Sequence, residues 1–281
     1  MILIAESGST KTSWVTEKNE LYETIGFNPL FDSTDAIYNE LLKHEGLNKV
    51  KDRFTRIFFY GASCSSEGRN AIVGNALKKY FANASVISVD HDLKAAAIAT
   101  YTGRPGIACI LGTGSNSCLY DGSDIYEEVP SLGYVLGDEG SGSYFGKKII
   151  AAYLYHELPE ATNRILKEKY KLEKEEVFTN VYNKPNANVY LARFAKVMNE
   201  TTDTVYMDQL AEEGFTDFFN HHVKCYKNYQ QYPVHFVGSI AFHFKHVLQK
   251  VADKMGCELG IVDRNPVYRL VAWHLANAKQ P

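Results

Sequence analysis

The apolar residues of this chain fall into short blocks, and the order of those blocks repeats. In the first half, apolar runs and alternating patterns predict strands, whereas apolar residues three and four positions apart predict helices. The predicted strands are 2–6, 12–17, 20–25, 55–60 and 85–89, and the predicted helices are 33–45, 68–82 and 92–102. The first half therefore has the order β-β-β-α-β-α-β-α.

The second half repeats this order around a mostly helical insertion at about 139–230. Its predicted strands are 106–111, 116–121, 124–129, 233–238 and 257–262, and the predicted helices after the insertion are 239–255 and 265–278. Each half is thus expected to form a mixed sheet flanked by helices. The boundary at 102–106 gives an N-terminal lobe, 1–104, and a C-terminal lobe, 105–281. The sequence alone does not decide which lobe the final helix, 265–281, packs on.

Composition and charge narrow the class of protein. The chain of 281 residues is 45% hydrophobic, which supplies a core, and its net charge of −3 gives no sign of a nucleic-acid-binding surface. The five cysteines are scattered without a CxxC pair, so a structural zinc site is not expected. Neither a signal-peptide pattern nor an apolar run of about 18 residues occurs. We therefore expect a cytoplasmic protein that does not enter a membrane.

Two glycine-containing turns stand at matching places in the repeat. The segments 6–12 (ESGSTKT) and 112–117 (GTGSNS) each lead from one strand to the next. Glycine permits backbone angles that let several amides converge on an anion, so the pair favours a phosphate chain held by two related lobes. Each turn taken alone is also compatible with an ordinary hairpin. The first is not a Walker loop, which needs GxxxxGK[ST] and a following helix.

Carboxylates follow the ends of two predicted strands. Glu6 ends the first strand and could hold a magnesium ion, directly or through water. Asp90 and Asp92 follow strand 85–89, at the edge where open α/β sheets bind ligands. Asp92 has an alternative interpretation as the N-cap of the next helix, and Asp90 as a solvated loop residue.

Two further loops carry polar residues at chemically useful positions. In 133–142 (GYVLGDEGSG), Asp138 can accept hydrogen bonds from sugar hydroxyls, and Glu139 can do the same or cap the following helix. The alternative is a flexible linker into the insertion. In 234–241, Gly238 lets the backbone approach a planar ligand, although an ordinary tight βα turn fits that segment equally well.

Taken together, these segments resemble the superfamily of sugar kinases, heat-shock-70 chaperones and actin. Within it they resemble the BadF/BadG/BcrA/BcrD ATPase-type family, which contains N-acetylglucosamine kinases. The resemblance covers nearly the whole chain and depends most on GTGSNS (112–117) and LGDEGSG (136–142), with GSTKT (8–12) and FNP (27–29) supporting. It implies an α/β fold of duplicated ribonuclease H-like, actin-like ATPase lobes with a cleft between them. It also implies ATP and Mg²⁺ as cofactors and suggests a homodimer.

The resemblance assigns roles residue by residue. Asp92 would be a sugar ligand and the general base, and Glu6 would hold magnesium where most members have Asp. The ATP-binding residues would be Ser9, Thr10, Lys11, Thr113, Gly114, Gly238 and Ser239. The other sugar-binding residues would be Asn28, Ser115, Asn116, Ser131, Leu132, Gly133 and Asp138. Leu132 stands where several N-acetylglucosamine kinases have Trp, which leaves the identity of the sugar open.

The implied function is ATP-dependent phosphorylation of an amino sugar, with the 6-hydroxyl of N-acetylglucosamine as the first expectation. Glucosamine and N-acetylmuramic acid are further acceptors that the sequence leaves open. An activating ATPase of 2-hydroxyacyl-CoA dehydratases is a rival, disfavoured because it needs cysteines placed for a shared cluster. A second rival is a regulator that binds ATP and sugar without turnover, and only Glu6 in place of Asp supports it.

Overall fold

The computed structural model describes residues 1–277, and these divide into two compact units. Unit 1 comprises Met1–Tyr101 together with residues 265–277, and unit 2 comprises Thr102–Arg264. Each unit contains one five-stranded mixed sheet with helices packed against it, as the sequence predicted. No helix within residues 1–277 is both long enough and apolar enough to cross a bilayer.

Unit 1 begins with three hairpin-linked strands and continues with alternating helices and strands. Its strands are β1 (Ile2–Ser7), β2 (Lys11–Thr16), β3 (Leu21–Ile25), β4 (Arg56–Gly61) and β5 (Val86–His91). Its helices up to this point are α1 (Thr34–Leu42), α2 (Glu45–Val50), α3 (Glu67–Tyr80) and α4 (Asp92–Thr100). The strand order is β3-β2-β1-β4-β5, in which β1, β4 and β5 are parallel and the hairpin strands are antiparallel. The carboxyl ends of three parallel strands therefore meet at one edge.

The core of unit 1 explains why these segments form strands. Leu3 and Ile4 in β1 are fully buried, because β1 lies in the middle of the sheet and is covered on both faces. The Trp14 ring on β2 packs against the rings of Phe27 and Phe59, with centroids 6.4 and 5.8 Å away. This aromatic cluster holds the hairpin strands against the segment that follows β3.

Unit 2 repeats the plan with a large helical insertion. Its strands are β6 (Gly106–Leu111), β7 (Ser115–Tyr120), β8 (Ile125–Tyr126), β9 (Val234–Val237) and β10 (Leu259–Asp263). Its helices are α5 (Gly133–Leu136), α6 (Gly142–Leu154), α7 (Glu160–Glu168), α8 (Lys174–Phe178), α9 (Ala187–Ala192), α10 (Thr204–Phe218), α11 (Ser239–His243) and α12 (Lys245–Lys254). The strand order is β10-β9-β6-β7-β8.

Two elements of unit 2 differ from the sequence prediction. The strand predicted at 124–129 is only two residues long, because two glutamates and then Pro130 follow it. The helix predicted at 239–255 is two helices, since Phe244 leaves helical geometry at φ −107° and ψ 30° while its ring is buried in the core. Neither change moves the carboxyl ends of β6 and β9.

The final helix, α13 (Val267–Asn277), belongs to unit 1, where it packs against α4, β2 and β1. The His274 ring lies on the Phe58 ring with centroids 4.0 Å apart, and its Nε2 is 2.9 Å from the Tyr60 hydroxyl. Residues 278–281, which the sequence prediction included in the last helix, lie outside the described residues.

Candidate active site

The carboxyl edge of the unit 1 sheet gathers the acidic residues that the sequence singled out. In the parallel register Glu6 lies beside Tyr60, and Tyr60 lies beside Asp90, so these residues form one row across β1, β4 and β5. Asp92 follows immediately as the first residue of α4. Burial raises the pKa of Glu6 to about 7, with a further contribution from the negative charge of Asp92 and an opposing one from Lys11. The two carboxyl groups are therefore close enough to interact.

The helix-cap alternative for Asp92 is excluded by its neighbour. His91 is the N-cap of α4, and its Nδ1 accepts a hydrogen bond from the Leu93 amide at 3.1 Å. The Asp92 Oδ1 atom lies 3.3 Å from the same nitrogen. Asp90 is engaged elsewhere, since its Oδ2 accepts from Lys94 Nζ at 2.6 Å. His91 is thus the residue that caps α4, and Asp90 is the carboxylate that pairs with Lys94.

The residues at this edge fit a magnesium ion that also binds phosphate. Mg²⁺ usually takes one or two protein carboxylates and fills its remaining positions with water and substrate phosphate oxygens. Glu6 is such a carboxylate, and a cation beside it would offset both the burial and the repulsion from Asp92 that raise the Glu6 pKa. Within residues 1–277 no three His, Cys, Asp or Glu side chains are arranged to hold a metal ion by themselves. Glu6 can take the place of one carboxylate in such a set, with water and phosphate oxygens in the other positions.

The first glycine turn is held by short-range contacts. The Gly8 amide donates to the Lys11 carbonyl at 3.0 Å, and the hydroxyls of Ser7 and Thr12 are 2.7 Å apart below the turn. Gly26 packs so tightly against it that a Cβ at this position would lie 2.1 Å from the Gly8 carbonyl oxygen. The segment that leads to Asn28 is thereby fixed against the turn.

The outward side of this turn carries Ser9, Thr10 and Lys11. Thr10 and Lys11 are exposed and Ser9 is partly exposed. The Lys11 ammonium forms a solvent-exposed ion pair with Glu23 on β3. The turn therefore presents one cation and its hydroxyls to solvent.

Asn28 has a fixed side-chain orientation. Its Oδ1 accepts from the Leu30 backbone amide at 3.0 Å, and the backbone amide of Asn28 donates to Asp32 Oδ2 at 2.8 Å. Because the oxygen is engaged by the turn that follows, the Nδ2 group is the part of the amide that remains to donate to a ligand.

The second glycine turn is clamped by a loop that comes much later in the chain. The Gly142 amide donates to the Gly112 carbonyl at 2.8 Å, and the Ser143 amide donates to the Thr113 carbonyl at 3.0 Å. Gly238 closes the turn from another direction, since a Cβ there would lie 2.3 Å from the Leu111 carbonyl oxygen and φ is +116°. Ser239 follows as the first residue of α11. The three glycine-bearing motifs of unit 2 therefore form one structure.

Asp138 is the centre of this clamp. Its Oδ1 accepts from the Ser115 amide at 3.1 Å and its Oδ2 from the Ser143 hydroxyl at 3.4 Å. Burial raises its pKa, and these hydrogen bonds oppose that shift. Gly114 lies against the carboxylate, so that a Cβ there would be 3.0 Å from Oδ2. Asp138 is thus a buried acceptor at the base of the turn.

Other predicted sugar-binding residues lie around Asp138. The Ser131 hydroxyl donates to the Ser115 carbonyl at 3.2 Å, while the buried Ser115 Oγ has no hydrogen-bond partner within the described chain. Such an unpaired buried hydroxyl is unusual in a folded protein and is a natural ligand position. Leu132 is exposed and leads into α5, which begins at Gly133. Asn116 Nδ2 lies 3.4 Å from Glu127 on the neighbouring strand end.

Sequence reasoning missed the residues that support these groups. Capping statistics favour Asp over His, so the order His91-Asp92 gave no sign that His91 would cap α4. Gly142 and Ser143 were visible as a glycine-serine string, but their attachment to the first turn of unit 2 depends on tertiary structure. The same holds for His222, which lies 3.6 Å from Glu139 and comes from the helical insertion.

Comparisons with known proteins bear on this site. No protein-family profile matches the chain, and no curated protein matches it by sequence. Among solved structures, a candidate N-acetylglucosamine kinase from Porphyromonas gingivalis matches with 36% identity and a TM-score of 0.89, covering 99% of this chain and 100% of that one. Two more distant matches show the same fold. A candidate N-acetylglucosamine kinase from Chromobacterium violaceum has 14% identity and a TM-score of 0.56, with 98% of each chain covered.

The other distant match is MreB5 of Spiroplasma citri, which was solved with ADP. It has 12% identity and a TM-score of 0.54, and the match covers 99% of this chain and 97% of that one. These distant structures establish the actin-like ATPase fold, with two mixed sheets flanked by helices, and the P. gingivalis protein establishes kinship at the level of sequence. The chain therefore belongs to the same family as that P. gingivalis protein, a family of sugar kinases with the actin-like ATPase fold.

Proposed function

We propose that this protein transfers the γ-phosphoryl group of ATP to a hydroxyl of an amino sugar, with the 6-hydroxyl of N-acetylglucosamine as the first acceptor and Asp92 as the general base. The observation that carries the proposal is the capping of α4 by His91. His91 accepts from the first turn of α4 in place of Asp92, and the charge of Asp92 acts on Glu6 at the same edge of the sheet, which supports Asp92 as the group that takes up the proton.

Asp92 would act on the acceptor hydroxyl. It would accept the proton as the hydroxyl oxygen attacks the γ-phosphorus and ADP leaves, from its place as the first residue of α4. A base of this kind contributes a factor of ~10²–10⁴ to the rate. Most of the remaining work in phosphoryl transfer is positioning and charge stabilisation.

The two glycine turns would hold the nucleotide. Ser9, Thr10 and Lys11 of the first turn and Thr113 and Gly114 of the second would offer hydroxyls, amides and one cation to the phosphates. Glu6 would hold Mg²⁺, directly or through water, and the ion when bound would supply positive charge to the phosphate oxygens. The segment at Gly238 and Ser239, which packs directly against the second turn at Leu111 and Gly112, would contact the adenosine.

The sugar would bind to the polar cluster around Asp138 and to Asn28. The unpaired Ser115 hydroxyl and the buried Asp138 carboxylate support this assignment, because both are polar groups that a sugar hydroxyl can pair with. Asn116, Ser131, Leu132 and Gly133 would complete the pocket. N-acetylglucosamine is the preferred acceptor because the family member at 36% identity carries that name.

A coupled assay of ADP release over a panel of sugars tests the proposal. The panel contains N-acetylglucosamine, glucosamine, N-acetylmannosamine, N-acetylmuramic acid, glucose and a no-sugar control. We expect sugar-dependent ADP release that is fastest with N-acetylglucosamine. ADP release that is equal with and without sugar, or calorimetric binding of sugar and ATP without turnover, would contradict a kinase and favour a regulator. Sedimentation velocity of the same sample tests the expected homodimer.

A further inference from the structure

Unit 2 contains a buried histidine that the proposed reaction does not use. His222 lies in a π-helical turn, Phe219–Val223, that extends α10. Such turns are rare and occur often at functional sites, because they displace side chains from the regular helical positions. The turn is fastened to β7, since the Ser117 hydroxyl donates to the His222 carbonyl at 2.6 Å. His222 is therefore held against the strand that follows the second glycine turn.

The ring of His222 is fixed on two sides. It stacks on the Phe218 ring with centroids 5.0 Å apart and an interplanar angle of 18°. Its Nε2 lies 3.6 Å from the Glu139 Oε2 atom. The Nδ1 atom is buried and has no hydrogen-bond partner among the described residues. Burying an imidazole with one unsatisfied nitrogen is energetically unfavourable. The contact of the other nitrogen, Nε2, with Glu139 is the polar interaction that offsets part of this cost.

Burial lowers the pKa of His222, and the carboxylate of Glu139 opposes that shift. The ring is therefore neutral at pH 7, and the nitrogen facing Glu139 is the one that carries the proton. A neutral donor orients the carboxylate without cancelling its charge. Two other charged groups act on this carboxylate: the adjacent Asp138, and Lys147, whose ammonium donates to the Tyr134 carbonyl.

Glu139 is not the cap of α6. Ser141 is the N-cap, and its hydroxyl accepts from the Tyr144 amide at 3.2 Å. The Glu139 side chain remains one-fifth exposed, whereas its neighbour Asp138 is engaged with Ser115 and Ser143. Glu139 is thus a partly exposed acceptor next to the proposed sugar-binding cluster, and its carboxylate is oriented from behind by His222.

We propose that His222 is a positioning residue that holds the Glu139 carboxylate as an acceptor for a ring hydroxyl of the sugar. This inference rests on the proposed function, because it names a second carboxylate in the same sugar pocket. Two adjacent carboxylates with different support would then face the sugar: Asp138, which also fixes the second turn, and Glu139, which adds a second acceptor. No covalent step is assigned to either residue.

Two substitutions at His222 separate donation from packing. His222→Phe keeps the ring on Phe218 but removes the donor, and His222→Gln supplies an amide donor without the ring. We expect His222→Phe to raise the KM for sugar about tenfold, the loss of roughly one oriented hydrogen bond, with little change in the KM for ATP. His222→Gln should recover part of that loss. Glu139→Gln should raise the sugar KM similarly, and combining it with His222→Phe should add little.

His221→Gln is the matched control, since His221 is exposed and adjacent in sequence. Thermal melts establish that each variant is folded, and Glu139→Gln, which alters a partly exposed side chain, tests the inference if a His222 variant does not fold. Calorimetric sugar binding is measured beside the kinetics. This inference alone is overturned if the wild type phosphorylates sugar and both Glu139→Gln and a folded His222→Phe have the wild-type KM for sugar. A wild type that neither binds nor phosphorylates any sugar overturns the proposed function and this inference together.

Discussion

The two glycine turns have related sequences, but they are supported in different ways. The turn in unit 1 is held by its own hairpin and by Gly26, all within the first three strands and the segment after them. The turn in unit 2 is held by Gly142 and Ser143 after a long loop and by Gly238 beyond the insertion. A local pattern can therefore predict a glycine turn, but it does not show what keeps the turn in place.

The starts of two helices, by comparison, are arranged alike in the two units. In unit 1 His91 caps α4, and in unit 2 Ser141 caps α6. In both units an acidic residue near a helix start is not the cap: Asp92 in the first and Glu139 in the second. The proposals above assign each of these two carboxylates a role with the sugar instead.

The largest effect is expected at Asp92. Asp92→Asn should lower kcat by about a hundredfold or more while sugar binding persists, because the amide cannot take up the proton. Asp90→Asn is the matched control, since Asp90 is two positions away and paired with Lys94. Steady-state kinetics and sugar calorimetry on both variants check this. Near-normal turnover in Asp92→Asn would remove Asp92 as the base.

The next effect compares the supports of the two turns. Gly238→Ala and Gly26→Ala each push a Cβ into a backbone carbonyl, at 2.3 and 2.1 Å, which costs roughly 1–3 kcal/mol. Gly238 also has φ +116°, which adds roughly 1–2 kcal/mol for a residue with a side chain. Gly238→Ala should therefore lower the melting temperature and the ATP affinity more than Gly26→Ala does.

Gly68→Ala is the control for these variants, because Gly68 lies in α3 with open space around it. Alanine there should stabilise the protein slightly through helix propensity, by up to about 1 kcal/mol. Thermal melts with and without ATP compare the three variants. If Gly238→Ala proved as benign as Gly68→Ala, the proposed close packing of Gly238 on the second turn would be wrong.

Glu6 makes a prediction about pH. Its folded-state pKa of about 7 lies above its ordinary value of 4.5, so the folded protein keeps a proton that the unfolded chain releases. Its contribution to stability is fully present below pH 4.5 and is lost as the pH rises through 7. Glu6→Gln should therefore stabilise the metal-free protein at pH 8, by up to roughly 3 kcal/mol, while reducing activity. Denaturant unfolding at pH 8 and pH 4.5 measures this. The same difference in unfolding free energy between Glu6→Gln and the wild type at both pH values would contradict it.

The smallest effect concerns the buried His274 of unit 1. Burial lowers its pKa to about 4 from an ordinary 6.5, so its contribution to stability is present above pH 6.5 and is lost as the pH falls toward 4. His274→Phe should reduce the stability that is lost between pH 7 and pH 5 by about 2 kcal/mol. His243→Gln, at an exposed position, should leave that slope unchanged. Unfolding free energies across this range provide the measurement.

Much of the fold could be predicted from sequence, because parallel strands buried on both faces give continuous apolar runs and hairpins give glycine turns. β1, β4, β6 and β9 were recognised in this way. The length of β8 and the break at Phe244 were not, since they depend on neighbouring charges and on burial of one ring. The resemblance supplied most of the candidate site, whereas the supporting roles of His91, Ser143 and His222 arise from contacts between distant segments.

The central claim is that phosphate passes from ATP to a sugar oxygen rather than to water. The most direct test is to incubate the protein with ATP, Mg²⁺ and N-acetylglucosamine and to identify the products by mass spectrometry and phosphorus NMR. We predict one sugar phosphate, esterified at the 6-position, formed in a one-to-one ratio with ADP. ADP accompanied only by inorganic phosphate, with no phosphorylated sugar from any member of the panel, would contradict the account.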